Sequence, residues 1–275
     1  MSTPLLLVDG HNLLYRSWFG FPTRIWNRAR DADCTGVFGF AALLRKAQIQ
    51  HAPGHEIVVV IDAEDGSQGR AAEDSDYKAN RAAPEPGLIE SLADIKRGLD
   101  ACQVRWIEHD GCEGDDVLAT LTTTARCDER PTDIMSADKD FIQLLDDPHV
   151  RLLNTGLAEA NRYTTSADVP ARYGVTAAQW PDYRALTGDQ SDNIAGIRGV
   201  GPKTAVRLLA GSATLDQVPA ASLKSTWSDQ WAQALRWREM IRLDRKVDLP
   251  DNILTGVPSA ELPRAAQLLE SLDLW

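Results

Sequence analysis

The 275-residue sequence contains no run of eighteen apolar residues, so it offers no segment able to cross a bilayer as a helix. Met1 to Val8 is too short and too uncharged for a secretory leader, and a soluble, cytoplasmic protein is the expectation. Cysteine is scarce. Cys34, Cys102, Cys112 and Cys127 share no Cys-x-x-Cys spacing, which disfavours a zinc site and suits a reducing compartment. The five histidines are scattered and read as structural or solvated side chains. With soft-metal chemistry disfavoured, the residue the chain does hold in quantity is carboxylate.

The net charge is −11, and nine acids fall in five clusters: Asp9, Asp62, the Glu113-Gly114-Asp115-Asp116 run, Asp138 with Asp140, and Asp189 with Asp192. Most stand where a strand should end. Acids gathered on one rim of a sheet repel one another unless cations lie between them, so the pattern points to bound hard metal ions. Basic residues are segregated from these acids. Six Arg or Lys lie between Arg16 and Lys46, Arg198, Lys203 and Arg207 occupy a stretch without acids, and Arg236, Arg238, Arg242, Arg245 and Lys246 form a third group. Such strips suit phosphate contacts or a solvated helix face.

Leu5 to Val8 and the β-branched Ile57 to Ile61 read as buried parallel strands, joined by a helical pattern over Val37 to Ile49. Strands at 103–106, 133–136 and 150–153 continue the alternation, and Val117 to Ala125 reads as a helix with the Glu113 cluster at its start. In open α/β sheets ligands gather beyond the carboxyl ends of strands, where three of the five acid clusters fall. Residues 63–86 form a polar insertion without apolar period, either a functional lid or a disordered segment; its spaced basic and aromatic residues favour the lid. From residue 167 the pattern is helical, over 178–186, 203–209 and 229–246. The turn Gly196 to Thr204 has glycines that permit close backbone approach to a ligand, and a proline suited to the first turn of the next helix.

Seven motifs in order resemble the 5′ nuclease and flap endonuclease family, including the domain that precedes DNA polymerase I in bacteria. They are Val8-Asp9-Gly10 with Tyr15-Arg16; Asp62-Ala63; Tyr77-Lys78 with Arg81; Glu113 to Asp116; Ala137 to Asp140; Leu186 to Asn193; and Gly199 to Thr204. The resemblance implies an α/β fold with a mainly parallel sheet and flanking helices, a PIN-like nuclease core over 1–166. It also implies a helical arch at 63–86 and a helical DNA-binding region over 167–275, with a helix-hairpin-helix motif at 178–210. By similarity Asp9, Asp62, Glu113 and Asp115 serve one metal site, and Asp115, Asp138, Asp140 and Asp189 a second. Asp116 and Asp192 act directly or through metal-bound water. The cofactors implied are two or more Mg2+ or Mn2+ ions, which suit an oxygen-rich site, with K+ at the glycine turn.

The same resemblance places Lys78 and Arg81 of the arch toward the scissile phosphate. Arg16, Arg70, Gly199, Gly201, Lys203 and Thr204 become DNA contacts, and Tyr77 either stacks on an unpaired base or anchors the arch. The pattern departs at His11-Asn12, at Gly69, and in the acidic stretch with Glu73, Asp74 and Asp76. The activity implied is two-metal-ion hydrolysis of DNA with 5′ flaps, nicks or free 5′ ends, as a 5′-3′ exonuclease and flap endonuclease in replication and repair. With Trp275 as the last residue, a stand-alone, monomeric nuclease is expected. Leu272 to Trp275 also resembles a peptide that docks on the bacterial sliding clamp, or is simply the end of a helix. A catalytically silent DNA-structure-binding paralogue is the alternative, and a lost acid would be its mark; all nine are present. An RNA-cleaving relative would lack the glycine turn, and an aspartate-nucleophile phosphatase would want Asp-x-Asp where Asp9-Gly10-His11 stands.

Overall fold

The structure, a computed structural model, describes residues 2–211, 214–219 and 223–275. Its sheet has the order β3-β2-β1-β4-β5-β6, with β1 Leu5–Asp9, β2 Glu56–Ile61, β3 Arg105–Glu108, β4 Thr132–Met135, β5 Val150–Leu153 and β6 Tyr163–Thr164. All pairs are parallel except β5 with the short edge strand β6. The apolar runs of β1 and β2 are buried on both faces, as expected of central parallel strands. The chain runs from β1 to β2 and β3 on one side, then crosses to β4 on the other. A crevice therefore opens at the carboxyl ends of β1 and β4, where Asp9 and Asp138 lie.

Alternation along β1 divides the core. Leu5 and Leu7 face α5 (Gly114–Cys127) and, through it, α6 (Asp168–Tyr173), α7 (Trp180–Thr187), α8 (Pro202–Leu209) and α9 (Ser225–Ile241). Leu6 and Val8 face α1 (Gly10–Phe19), α2 (Thr35–Gln50), α4 (Pro86–Ala101) and α10 (Ala265–Ser271). Asp9 ends β1 and caps α1 by accepting from the Asn12 amide at 2.9 Å. Between β2 and α4, α3 (Gln68–Glu73) is a single short helix with no buried residue; the rest of the insertion is turns and extended chain ending at Pro86.

Several boundaries differ from the sequence reading. The third strand begins at Arg105 rather than 103, because Gln103 takes a positive φ of 55° as the chain leaves α4. α9 stops at Ile241, and the Asp244 amide then turns back to Asp116 at 2.8 Å. The stretch from Thr255 onward packs on the α/β core and not on the helical region expected to include it. Thr255 and Gly256 bind Glu56, Ser259 accepts from the Ile57 amide at 2.9 Å, and Leu269 is buried with Leu6 and Leu44. The chain end proposed for clamp docking is engaged in its own fold. Leu272 is buried beside Ala41 and Leu268, and Trp275 stacks on Phe38 at 5.6 Å.

Candidate metal centre and nucleic-acid interface

Strand ends and helix starts carry the acids to one rim. A cleft of about 820 Å3 is lined by Asp9, Asp62, Glu113, Asp115 and Asp138, with Lys78 and Arg81 on its arch side. A second cleft of about 730 Å3 opens beside it toward Lys139, Arg184 and Asp189, and the two share Asn12 and Asp138. Asp140, Asp189 and Asp192 bring carboxylate oxygens within 4.8 Å of one another. Eight of the nine acids thus meet in two adjoining groups.

Asp62 Oδ1 accepts from the Gly114 amide at 2.6 Å, which joins the end of β2 to the start of α5. A Cβ on Gly114 would fall 2.4 Å from that oxygen, so glycine is needed in the Glu-Gly-Asp-Asp run for the close approach. Asp9 Oδ2 accepts from Ser136 Oγ at 2.7 Å, and Asp138 Oδ1 from the Asp140 amide at 2.8 Å. Burial pushes Asp9 up to about 7, with Asp62 and Asp138 adding to the rise. Burial and then the charges of Asp138, Asp9 and Asp62 raise Asp115 well above the carboxylate range; burial and Asp138, Asp192 and Asp189 do the same to Asp140. Asp192 is raised chiefly by burial. Asp189 differs: burial opposes its ionisation, but bonds from Ser191 and Arg184 outweigh it and hold the carboxyl low.

Two buried oxygens, Glu113 Oε1 and Asp140 Oδ1, have no hydrogen-bond partner. Each belongs to an acid group, one in each half of the rim. An unpartnered buried carboxylate oxygen among like charges is costly, and a hard cation with oxygen ligands would satisfy it, so the donor set fits Mg2+ or Mn2+.

Three expected site residues are placed differently. Asp116 lines neither cleft; its Oδ1 accepts from Arg70 at 2.8 Å and from the Asp244 amide at 2.8 Å. Arg70 is turned inward onto Glu113 and Asp116, which hold its pKa up against burial. Tyr77 is 6% exposed, with its hydroxyl 3.3 Å from Glu113 Oε2, so it anchors the arch and presents no ring to a base. Lys78 meets the same Glu113 oxygen at 2.7 Å, and Arg81 reaches Asp192 at 2.9 Å with 52% of its side chain exposed. The arch rests on the 190–193 loop through Lys78 N to Asp192 O and Asn80 to Gln190 O.

Arg16 points from α1 to Thr155, 2.8 Å away, and burial lowers its pKa. Across the helical region Gly199 adopts φ 81°, Gly201 caps α8 in extended conformation, and a Cβ at either would meet nothing within 4 Å. Lys203 is exposed in the first turn of α8, while the Thr204 amide is used on Gly201 O at 2.9 Å. Sequence reasoning missed Arg184, Ser136, Ser191 and Asn12. Arg184 precedes Asp189 by five residues across the end of α7, and Ser136 precedes Asp138 by two at the end of β4; nearness to an acid at an element boundary was the available signal.

Residues 4–174 match the family model of the 5′-3′ exonuclease N-terminal resolvase-like domain, and residues 175–262 that of the 5′-3′ exonuclease C-terminal SAM fold. The thermostable DNA polymerase I of Thermus filiformis is 40% identical over 227 residues, 80% of this chain and 26% of that protein. The chain spans about a quarter of the length of the curated relatives it matches. The T5 D15 protein co-crystallized with metal ions superposes with a TM-score of 0.67 at 20% identity, covering 88% of this chain and 90% of that one. The bacteriophage T5 D15 flap endonuclease in a pseudo-enzyme-product complex with DNA and metal ions gives 0.67 at 19% identity, covering 88% and 89%. At these identities the structural likeness is one of fold.

Proposed function

The chain belongs to the 5′-3′ exonuclease family, and from that premise we propose that it is a metal-dependent, structure-specific 5′ nuclease acting on DNA. It hydrolyses phosphodiesters near single-strand to duplex junctions, as a 5′-3′ exonuclease and flap endonuclease, leaving a 5′ phosphate and a 3′ hydroxyl. One observation carries the reading: two unpartnered buried carboxylate oxygens, Glu113 Oε1 and Asp140 Oδ1, in a rim of acids that opens beneath an arch bearing Lys78 and Arg81.

Asp9, Asp62, Glu113 and Asp115 would hold one Mg2+ or Mn2+, and Asp138, Asp140, Asp189 and Asp192 a second together with Asp115. Such ions supply concentrated positive charge that polarises a phosphodiester for hydrolysis. The chain's own residues do the rest. Lys78 and Arg81, now on Glu113 and Asp192, are in reach of a phosphate entering the cleft and stabilise charge that develops there. Lys203 and the turn Gly199 to Gly201 grip the backbone of the duplex, with K+ as the ion suited to that turn, and such contacts read shape without base sequence. The protein acts as a monomer in the cytoplasm. The packed chain end is left out of this proposal.

An end-labelled 5′ flap, a nicked duplex and a blunt duplex, each incubated with Mg2+ or EDTA, test the reading. Mg2+-dependent cleavage at the flap junction is expected. Binding to the flap without cleavage under any divalent ion would establish instead the catalytically silent DNA-structure-binding alternative.

A further inference from the structure

Arg70 ties the arch to the rest of the molecule at three points. Its Nη1 lies 3.0 Å from Glu113 Oε2, its Nη2 donates to Asp116 Oδ1 at 2.8 Å, and the same nitrogen reaches the Arg242 carbonyl at 3.4 Å. The rest of α3 offers nothing comparable. It buries no residue, and among the described residues 67–73 Arg70 alone makes a side-chain hydrogen bond or ion pair beyond the segment. Within α3 itself one guanidinium thus makes the polar link to the rest of the molecule, while Asp65 before it accepts from the Gly111 amide at 2.8 Å and Tyr77 after it meets Glu113.

Asp116 is committed to the same joint. Its Oδ1 is shared between Arg70 and the Asp244 amide, its side chain lines neither cleft, and Asp115 beside it faces the acid group. Successive residues in the first turn of a helix point in different directions, so the two aspartates of the motif do not serve one cavity. Arg242 and Asp244 both lie in the turn that ends α9. The joint thus links three elements: the arch, α5 and the end of the helical region.

We propose that Asp116 is an anchor for the arch and not a cation ligand, and that Arg70 is a positioning residue. It fixes α3 beside the cleft so that Lys78, eight residues on, is presented to Glu113 and to an incoming strand. The cation part of this statement rests on the proposed function; the anchoring part does not.

The test uses the full chain in two arms. In Mn2+ titration followed by electron paramagnetic resonance, Asp116→Asn should bind Mn2+ within about twofold of wild type, whereas Asp115→Asn should bind about tenfold more weakly or worse. In limited trypsinolysis, Arg70→Gln and Asp116→Asn should each speed cleavage after Lys78 and Arg81 by about tenfold, with the double variant no faster than either single one. Arg70→Lys, which keeps the charge but loses the fork, should recover part of the protection. On a 5′ flap substrate both single variants should raise KM by more than they lower kcat.

Loss of Mn2+ affinity in Asp116→Asn equal to that in Asp115→Asn overturns the inference, as does unchanged proteolysis in Arg70→Gln. Should Asp116→Asn lose its fold in a circular dichroism melt, Arg70→Gln, at a partly exposed position, decides by itself. If Asp115→Asn leaves Mn2+ binding intact, the cation reading of the cleft fails, and the trypsin arm still decides the anchor.

Discussion

Replacement of Asp9 by Asn removes one charge from the crowded end of β1 and keeps nearly everything else. Asn caps helices as well as Asp does, so the bond from the Asn12 amide survives, and the Ser136 hydroxyl can accept from the new amide group. Burial, with help from Asp62 and Asp138, pushes the wild-type carboxyl from 3.8 up to about 7. A rise of about three units, at about 1.4 kcal/mol each, sets a ceiling of about 4 kcal/mol on what the charge costs the metal-free fold. Below about pH 4 the carboxyl is protonated in folded and unfolded chains alike, and the two proteins should be equally stable. Between about pH 4 and pH 7 the unfolded chain gives up its proton first, so wild type falls behind the variant. Above about pH 7 the full difference is present. Asp9→Asn should then melt higher in EDTA at pH 8, by about 2–4 °C for each kcal/mol in a chain of this size. Mg2+ should reverse the order. At 100 times its Kd a cation adds about 2.7 kcal/mol to wild type, and the variant, one ligand charge short, gains little. Urea denaturation at pH 5 and pH 8, in EDTA and in Mg2+, reads all four corners. A variant less stable than wild type in EDTA at pH 8 would refute the crowding argument, and an equal Mg2+ gain in both proteins would remove Asp9 from the cation site.

Lys78→Ala should lower the single-turnover cleavage rate by about 10²–10³-fold while changing flap affinity by less than about tenfold, as for other groups that stabilise developing charge; rapid-quench kinetics that match wild type would exclude Lys78 from the chemistry. Lys203→Ala should weaken DNA binding and reduce the slope of log affinity against log salt by about one, with the single-turnover rate at saturation unchanged. Fluorescence anisotropy across a salt series checks this, and an unaltered slope would place Lys203 off the DNA. Glu56→Ala should cost about 3–5 kcal/mol in urea, because it strands Arg130, 2.6 Å away, inside the core and leaves the Thr255 and Gly256 amides unpaired. Burial opposes ionisation of Glu56, but the bonds from Thr255, Arg130 and Gly256 outweigh it and hold its pKa low. Its contribution is therefore present above its unfolded value of 4.5 and lost as pH falls through the depressed one, so the gap between wild type and variant should close in acid.

The central strands were legible because their residues serve one purpose: Leu5 to Val8 and Ile57 to Ile61 are buried on both faces and read as unbroken apolar runs. Acids at the ends of such runs gave the rim, and the motif order gave the family. What escaped had mixed or distant causes. β6 has two residues and exists because β5 offers an edge. The return of 255–262 to the sheet depends on Glu56, about 200 positions away, and on Gln48, which binds Ala260 and Leu262. Within the Glu113 cluster the sequence could not separate Asp115 from Asp116, because the partners that distinguish them come from the arch and from the turn after α9. Tyr77 was ambiguous for the same reason: an aromatic in a polar insertion stacks or anchors according to whether a buried acceptor such as Glu113 lies beneath it.

The ion pairs around the rim explain how a chain of net charge −11 is suited to a polyanion. Glu113, Asp116, Asp189 and Asp192 each have an Arg or Lys within 4 Å, whereas Asp9, Asp62, Asp115, Asp138 and Asp140 have none among the described residues. On the proposed function, the five acids without a basic partner depend most on a divalent ion, while Glu113 and Asp192 also hold Lys78 and Arg81 beside the cleft. The basic partners are not equivalent. Arg70 is 16% exposed and bound on several sides, so moving it would take the only basic partner from Asp116 among the described residues and break its contacts with Glu113 and the Arg242 carbonyl. Arg81 is half exposed while its partner Asp192 is buried, so Arg81 can turn to a phosphate if a bound cation takes over Asp192. Lys78 lies between these cases: it is well covered, but a single Glu113 oxygen shared with Arg70 and Tyr77 is its acidic partner, and Arg70 remains to neutralise that oxygen when Lys78 leaves. On the proposed function, the arch therefore carries one cation, Arg70, that holds it in place and two, Lys78 and Arg81, that an entering phosphate can recruit.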